Sequence, residues 1–133
     1  MAEMRRVSIH NDLDIVAARV EGRNLARDMG FSVIDQARIA TAISELARNV
    51  VLYAHSGQIT LNQVENGGRI GLQIICKDRG PGIEDVGLVM RDGYASKQGS
   101  GMGLPGTKRL MDDFEITSQV GSGTTVIVCK WLQ

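Results

Sequence analysis

Apolar residues recur along this chain with two periods, and the switches between them mark out the elements. Val7 and Ile9 alternate with polar neighbours, so residues 5–10 predict a short first strand. From Asn11 the period lengthens. Ile15, Ala18, Gly22, Leu25 and Met29 fall at spacings of three and four, which gathers them on one face of a helix. Asn11 or Asp12 supplies a cap at its start and Gly30 a stop at its end. A second helix is predicted from Ser32 or Asp35 to Tyr53, with Ile39, Ile43, Leu46, Val50 and Tyr53 as its core stripe, closed by Ala54-His55-Ser56-Gly57.

Alternation then returns. Residues 58–64 place Ile59 and Leu61 on one face, and residues 69–77 place Ile70, Leu72, Ile74 and Cys76 on one face; Glu65-Asn66-Gly67-Gly68 between them is a hairpin signal. A short helix is predicted over residues 84–91. Residues 93–103 are glycine-rich and without a long apolar stripe, so they predict a loop. A helix follows from Leu104 to Asp113, with Pro105 in its first turn, where the missing N–H is no loss. Two last strands, 114–120 and 124–132, flank Gly121-Ser122-Gly123. The order β-α-α-β-β-(α)-loop-α-β-β contains two strand hairpins. That argues against a doubly wound parallel sheet and for an α/β (α+β) two-layer sandwich: a mixed, mostly antiparallel sheet with helices on one face.

With 133 residues, the chain is expected to form a single domain over 1–133. Fifteen basic residues balance fifteen acidic ones, and no basic stripe is visible, so nucleic acid is not expected as a partner. No apolar run reaches the ~20 residues that span a bilayer, and residues 1–6 lack the apolar core of a signal peptide, so a cytoplasmic protein without membrane contact is expected. Cys76 and Cys129 sit in strand-like apolar runs and read as reduced core cysteines. Glycine is out of proportion at 16 residues, with a cluster between Gly99 and Gly106. Glycine-rich loops let a backbone approach a ligand closely, so the chemistry is expected there.

Four constellations carry it. Glu45 and Asn49 stand at i and i+4 on the second helix and share a face beside its apolar stripe. A carboxylate and an amide oxygen there suit water or hard-cation chemistry, though alone they read as a solvated helix edge. Asp78-Arg79-Gly80-Pro81-Gly82 follows an apolar strand. An aspartate at a strand end can accept a hydrogen bond from the exocyclic amine of a base, while the glycines turn the backbone beside a flat ring; alone it is an ordinary turn. Gly99-Ser100-Gly101-Met102-Gly103 runs into a helix, and such a junction offers backbone N–H groups and a positive dipole end to phosphate. Gly121-Ser122-Gly123-Thr124-Thr125 joins the last strands, either as a plain hairpin turn or as one that points a threonine hydroxyl at a ligand.

Two partial motifs are discounted. Gly101-Met102-Gly103-Leu104-Pro105-Gly106 spells G-x-G-x-x-G, but it follows a loop rather than a strand and no strand-ending acidic residue comes ~20 residues later. Gly101 to Lys108 approaches a P-loop, but Thr107-Lys108 reverses the order that motif requires.

Taken together and in order, E-x-x-x-N, D-x-G-x-G, G-x-G-x-G and G-x-G-T-T resemble the GHKL (histidine-kinase-like ATPase) superfamily, from about Gln36 to the C-terminus. Asp14-Ile15-Val16-Ala17-Ala18-Arg19, Asp35-Gln36-Ala37-Arg38-Ile39, Ala42 to Asn49 and Gly103 to Asp112 are similar to the RsbT-type switch kinases of the bacterial stressosome, which extends the resemblance over nearly the whole chain. One departure is Tyr53-Ala54, where small kinases of the group often carry histidine followed by alanine or glycine.

The resemblance implies a Bergerat-type ATP-binding fold and an ATP-dependent protein serine/threonine kinase. It makes Glu45 the general base and Asn49 the Mg²⁺ ligand. Asp78 becomes the adenine-binding aspartate, with Gly80 and Gly82 shaping the base pocket. Gly101 and Gly103 bind phosphate, Gly99 to Met102 belong to an ATP lid, and Thr124 or Thr125 helps hold adenine. It implies ATP and Mg²⁺ as cofactors. The implied partners are STAS-domain stressosome proteins as substrates and a metal-dependent phosphatase of the PP2C type, activated by binding. An anti-sigma factor kinase that sequesters a sigma factor and a nucleotide-binding adaptor without turnover are the alternatives. Glu45 argues against the adaptor, which has no evident use for a base.

Overall fold

The computed structural model describes residues 4–83, 90 and 103–132. The predicted helix over 84–91, most of the glycine-rich loop, and the candidate residues Gly99, Gly101 and Met102 lie outside them. The five strands are β1 (Met4–Ile9), β2 (Gly57–Asn66), β3 (Arg69–Asp78), β4 (Asp113–Gln119) and β5 (Gly123–Trp131), and the helices are α1 (Asp12–Met29), α2 (Val33–Asn49) and α3 (Gly103–Leu110).

Local chemistry sets the helix starts. Asn11 caps α1: its side chain accepts the Asp14 N–H at 3.2 Å, while Asp14 Oδ2 accepts the Asn11 N–H at 3.2 Å and the His10 N–H at 2.8 Å. This reciprocal box satisfies donors that a helix start leaves orphaned. Ser32 rather than Asp35 caps α2, with Ser32 Oγ accepting the Asp35 N–H at 3.1 Å. The regular α2 stops at Asn49, short of the expected Tyr53, and continues as one π-helical turn over Val50–Ala54. His55 N–H closes that turn on Val50 O at 2.8 Å, and His55 takes a left-handed backbone at φ 69°. The wider turn rotates Tyr53 off the core stripe, leaving it 43% exposed where burial was expected.

The sheet order is β1-β2-β3-β5-β4, and every neighbouring pair is antiparallel. The expected parallel component is absent among the described residues. The reason is connectivity: β2–β3 and β4–β5 are hairpins, and the two helices between β1 and β2 return the chain to the end where β1 stopped. The helices cover one face, where Ile59, Leu61, Leu72, Ile74, Cys76, Val126 and Val128 meet Ile15, Leu25, Ile39, Ile43 and Leu46 in one core. Ala26 joins the buried face of the first helix, Met29 packs against the core partly buried, and Ile70 is 37% exposed at the start of its strand. Both cysteines are free and buried. Among the described residues no helix is long and apolar enough to cross a membrane.

Two contacts fix the helices over the sheet. A Cβ on Gly22 would collide with Ile43 Cδ1, so α1 and α2 approach closely there. At one end of the sheet, the buried Lys130 ammonium donates to Leu110 O at 3.0 Å and lies 3.5 Å from Asp112 and 3.9 Å from Asp35. It thereby ties β5 to the C-terminal end of α3 and the N-terminal end of α2. A Gly22→Val protein is expected to lose about 1–3 kcal/mol through overpacking at this contact. Urea denaturation checks this, with the midpoint lowered and the slope unchanged.

Candidate functional site

The inward stripe of each strand is apolar at its middle and changes character at the end away from Lys130. On β3 the sequence of inward positions is Leu72, Ile74, Cys76, Asp78; on β5 it is Val128, Val126, Thr124; on β4 it is Phe114, Ile116, Ser118; on β2 it is Leu61, Ile59, Gly57. Asp78, Thr124 and Ser118 therefore meet on the helix side of the sheet. Alternation puts Thr125 on the opposite face, paired across to Thr117 and Lys77, so Thr124 is the threonine that shares a face with Asp78.

Hydrogen bonds join them. Asp78 Oδ1 accepts the Gly80 N–H at 2.8 Å and the Thr124 N–H at 3.2 Å. Asp78 Oδ2 has no donor among the described residues and stays available to a ligand. Ser118 Oγ accepts the Ile83 N–H at 2.8 Å and lies 2.8 Å from Thr124 Oγ1. The Gly121 N–H donates to Pro81 O at 2.9 Å. The D-x-G-x-G segment and the G-x-G-T-T turn, separate in sequence, are thus one laced unit.

Two glycines permit that lacing. Gly82 has φ 80° and Gly123 φ 114°, a backbone that side chains rarely adopt. A Cβ on Gly82 would strike the Gln119 carbonyl, and one on Gly123 would strike the Asp78 carbonyl. Gly80 faces Ala54 of the π-helical turn, at 2.7 Å from the position its own Cβ would take.

The helices bring the other candidates to the same end. Val50 Cγ1 and Asp78 Cβ lie 2.9 and 3.2 Å from where a Cβ on Gly57 would stand, so the C-terminal end of α2 reaches the end of β3. Cys76 Sγ points at Leu46 O at 3.8 Å, one turn earlier. Asn49 is half-buried at this end, and Glu45, one turn back, is only 6% exposed. α3 packs on α2, with its C-terminal Leu110 carbonyl at Lys130 and Gly103 at its N-terminus. The buried Thr107 donates to Gly103 O at 3.0 Å within that first turn. The chain offers Asn49 as an amide-oxygen donor here. That suits a cation such as Mg²⁺, which keeps most of its ligands as water and phosphate oxygens.

Ser118 and Ala54 are the site-end residues that the sequence motifs miss. Ser118 carried a signal all the same: it is a polar residue on the parity of Phe114 and Ile116.

The Cys76 thiol, one inward position from Asp78, is pushed up to about 12 by burial first and the Asp78 charge second. The unfolded thiol ionises near 9. Its contribution to stability is therefore complete below pH 9 and is lost as the pH climbs from 9 towards 12. Denaturation followed over that interval should show a shallower fall for Cys76→Ala than for the unaltered protein.

Comparisons with known proteins bear on this arrangement. The family model described as a histidine kinase-like ATPase domain matches residues 10–130. The serine/threonine-protein kinase RsbT of Bacillus subtilis is 53% identical over 133 residues, 100% of both chains. An anti-sigma F factor of a Thermoanaerobacter species is 29% identical over 121 residues, 86% of this chain and 83% of its own. Among solved structures, the RsbU and RsbW domains of a Mycobacterium tuberculosis protein superpose with a TM-score of 0.63 at 21% identity, over 96% of this chain and 31% of that one. The mycobacterial sensor histidine kinase MprB gives 0.58 at 15% identity, over 97% of each chain. At those identities the two structures speak for the fold alone.

Proposed function

The chain belongs to the histidine kinase-like ATPase family and to its RsbT-like branch, and on that premise we propose that it is an ATP-dependent protein serine/threonine kinase. The observation that carries the reading is identity at 53% along the full length to a serine/threonine kinase, combined with one sheet end that gathers Asp78, Thr124 and the end of α2. In this reading the Asp78 carboxylate accepts the adenine amine through Oδ2, with Gly80 and Gly82 shaping the pocket floor. Gly103 and the glycines before it hold phosphate at the start of α3. Asn49 would hold Mg²⁺, which when bound supplies positive charge against the phosphates. Glu45 takes the proton of a serine or threonine hydroxyl, and positioning with electrostatics does most of the rest.

We further infer that the substrates are STAS-domain proteins of a stressosome, that the released kinase activates a PP2C-type phosphatase by binding it, and that it works in the cytoplasm. The RsbT-like sequence supports this through the partners its branch implies. A second reading, sequestration of a sigma factor, draws on the 29% identity to anti-sigma F factors over most of the chain.

Incubation with γ-labelled ATP, Mg²⁺ and a STAS-domain protein tests the kinase. Label is expected on a partner serine or threonine. Glu45→Ala should keep ATP affinity and lose transfer by at least about a hundredfold. Transfer that survives in this variant removes Glu45 from the base role, and binding to a sigma factor without labelled STAS protein favours the second reading. Asp78→Asn should weaken ATP binding about tenfold or more by calorimetry, since a charge-assisted hydrogen bond to the amine is lost and the Oδ1 contacts are perturbed.

A further inference from the structure

Ser118 takes no part in the chemistry above, yet its one hydroxyl faces three partners. It accepts the Ile83 N–H at 2.8 Å, lies 2.8 Å from Thr124 Oγ1 and lies 3.3 Å from Gly123 O. A hydroxyl has one hydrogen and two lone pairs. The Ile83 amide occupies a lone pair, so the hydrogen has two possible takers. If it goes to Gly123 O, Thr124 gives its own hydrogen to Ser118 and faces the pocket as an acceptor only. If it goes to Thr124 Oγ1, the Thr124 hydrogen is released towards the pocket. The 2.8 Å contact between the two hydroxyls is made in both arrangements; they differ in the 3.3 Å contact to Gly123 O, which lies outside the roughly 2.5–3.0 Å range of O–H···O bonds, so the Ser118 hydrogen is better placed on Thr124 Oγ1.

We propose that Ser118 is a positioning residue that donates to Thr124 Oγ1 and so fixes Thr124 as a hydrogen-bond donor to the purine edge, a role that deepens and rests on the reading of this end as an ATP pocket. The ligand chemistry matches. Adenine presents a donor, the 6-amine, beside an acceptor, ring N1. The protein complement is an acceptor beside a donor. Asp78 is the acceptor, and the Thr124 amide bonded to Asp78 Oδ1 sets the Thr124 side chain beside it. Thr124 reaches N1 directly or through one water. A 6-oxo purine reverses both groups, so the same pair disfavours guanine.

The relay can be read in a cycle between protein and ligand. Affinities for ATP and for an ATP analogue with C–H in place of ring N1 are measured by calorimetry; the analogue keeps its amine for Asp78. Ser118→Thr retains the hydroxyl, while Ser118→Val has the same shape without it and suits a strand. The unaltered protein and Ser118→Thr should bind the analogue about three- to tenfold more weakly than ATP, the worth of one hydrogen bond. Ser118→Val should show a penalty below about twofold. Ser118→Ala supplies the same comparison if the valine variant does not fold. No penalty in the unaltered protein, or equal penalties in all three, overturns the proposal. Asp78→Asn is measured beside them: if it leaves ATP affinity unchanged, the pocket reading itself falls. If it weakens ATP while the analogue penalties stay equal, only the role of Ser118 falls.

Discussion

Asp78 Oδ1 accepts two backbone N–H groups, one from Gly80 two residues on and one from Thr124 across the sheet. The rest of the site end depends on that shared oxygen. It holds the turn after β3 against the turn before β5, which sets Gly82 under Gln119 and Gly123 on the Asp78 carbonyl. A carboxylate that accepts backbone N–H bonds is held in one orientation by groups that cannot themselves rotate away. Its second oxygen is therefore aimed before any ligand arrives. Pre-aimed groups spend less of a ligand's binding energy on ordering the protein.

The layout also explains how the fold keeps a packed core beside two polar clusters. The core occupies the middle of the sheet, where Ile59, Leu61, Leu72, Ile74 and Val128 are fully buried. Lys130 with its carboxylate and carbonyl partners closes one end, and Asp78, Ser118 and Thr124 close the other. Each polar cluster is satisfied largely within the protein, so neither leaves buried groups unpaired at the core's expense. α2 spans the two clusters, with Asp35 near Lys130 and Val50 near Asp78.

Much of this was legible in the sequence. Alternation, three-and-four spacing and the Pro105 and Gly121-Ser122-Gly123 signals located the described strands and helices to within a few residues, because burial on one face and turn chemistry impose them. The D-x-G-x-G and G-x-G-T-T motifs meet at one end of the sheet, where Gly82 and Gly123 take a backbone that side chains rarely adopt. Two things were not legible. The π-helical turn at Val50–Ala54 has an ordinary helical composition, and its Ala54 lies against Gly80, a contact between residues distant in sequence. The choice between Thr124 and Thr125 needed strand register, because adjacent residues on a strand face opposite ways and a one-residue shift exchanges them. The same holds for Ser118, whose importance comes from pairing with Thr124 rather than from its own neighbours.

The strand order has a consequence for how the chain assembles. The β2–β3 and β4–β5 hairpins close locally, whereas β3 meets β5 only after the whole intervening segment has been looped back. Such a pairing, like that of β1 with β2, bears loop-closure entropy before its contacts reward it. The Asp78–Thr124 bond sits at the mouth of that loop. That bond is thus a clasp between the two hairpins. A molecule seated across that bond would hold β3 and β5 together, so its binding and the persistence of the native chain would be thermodynamically linked.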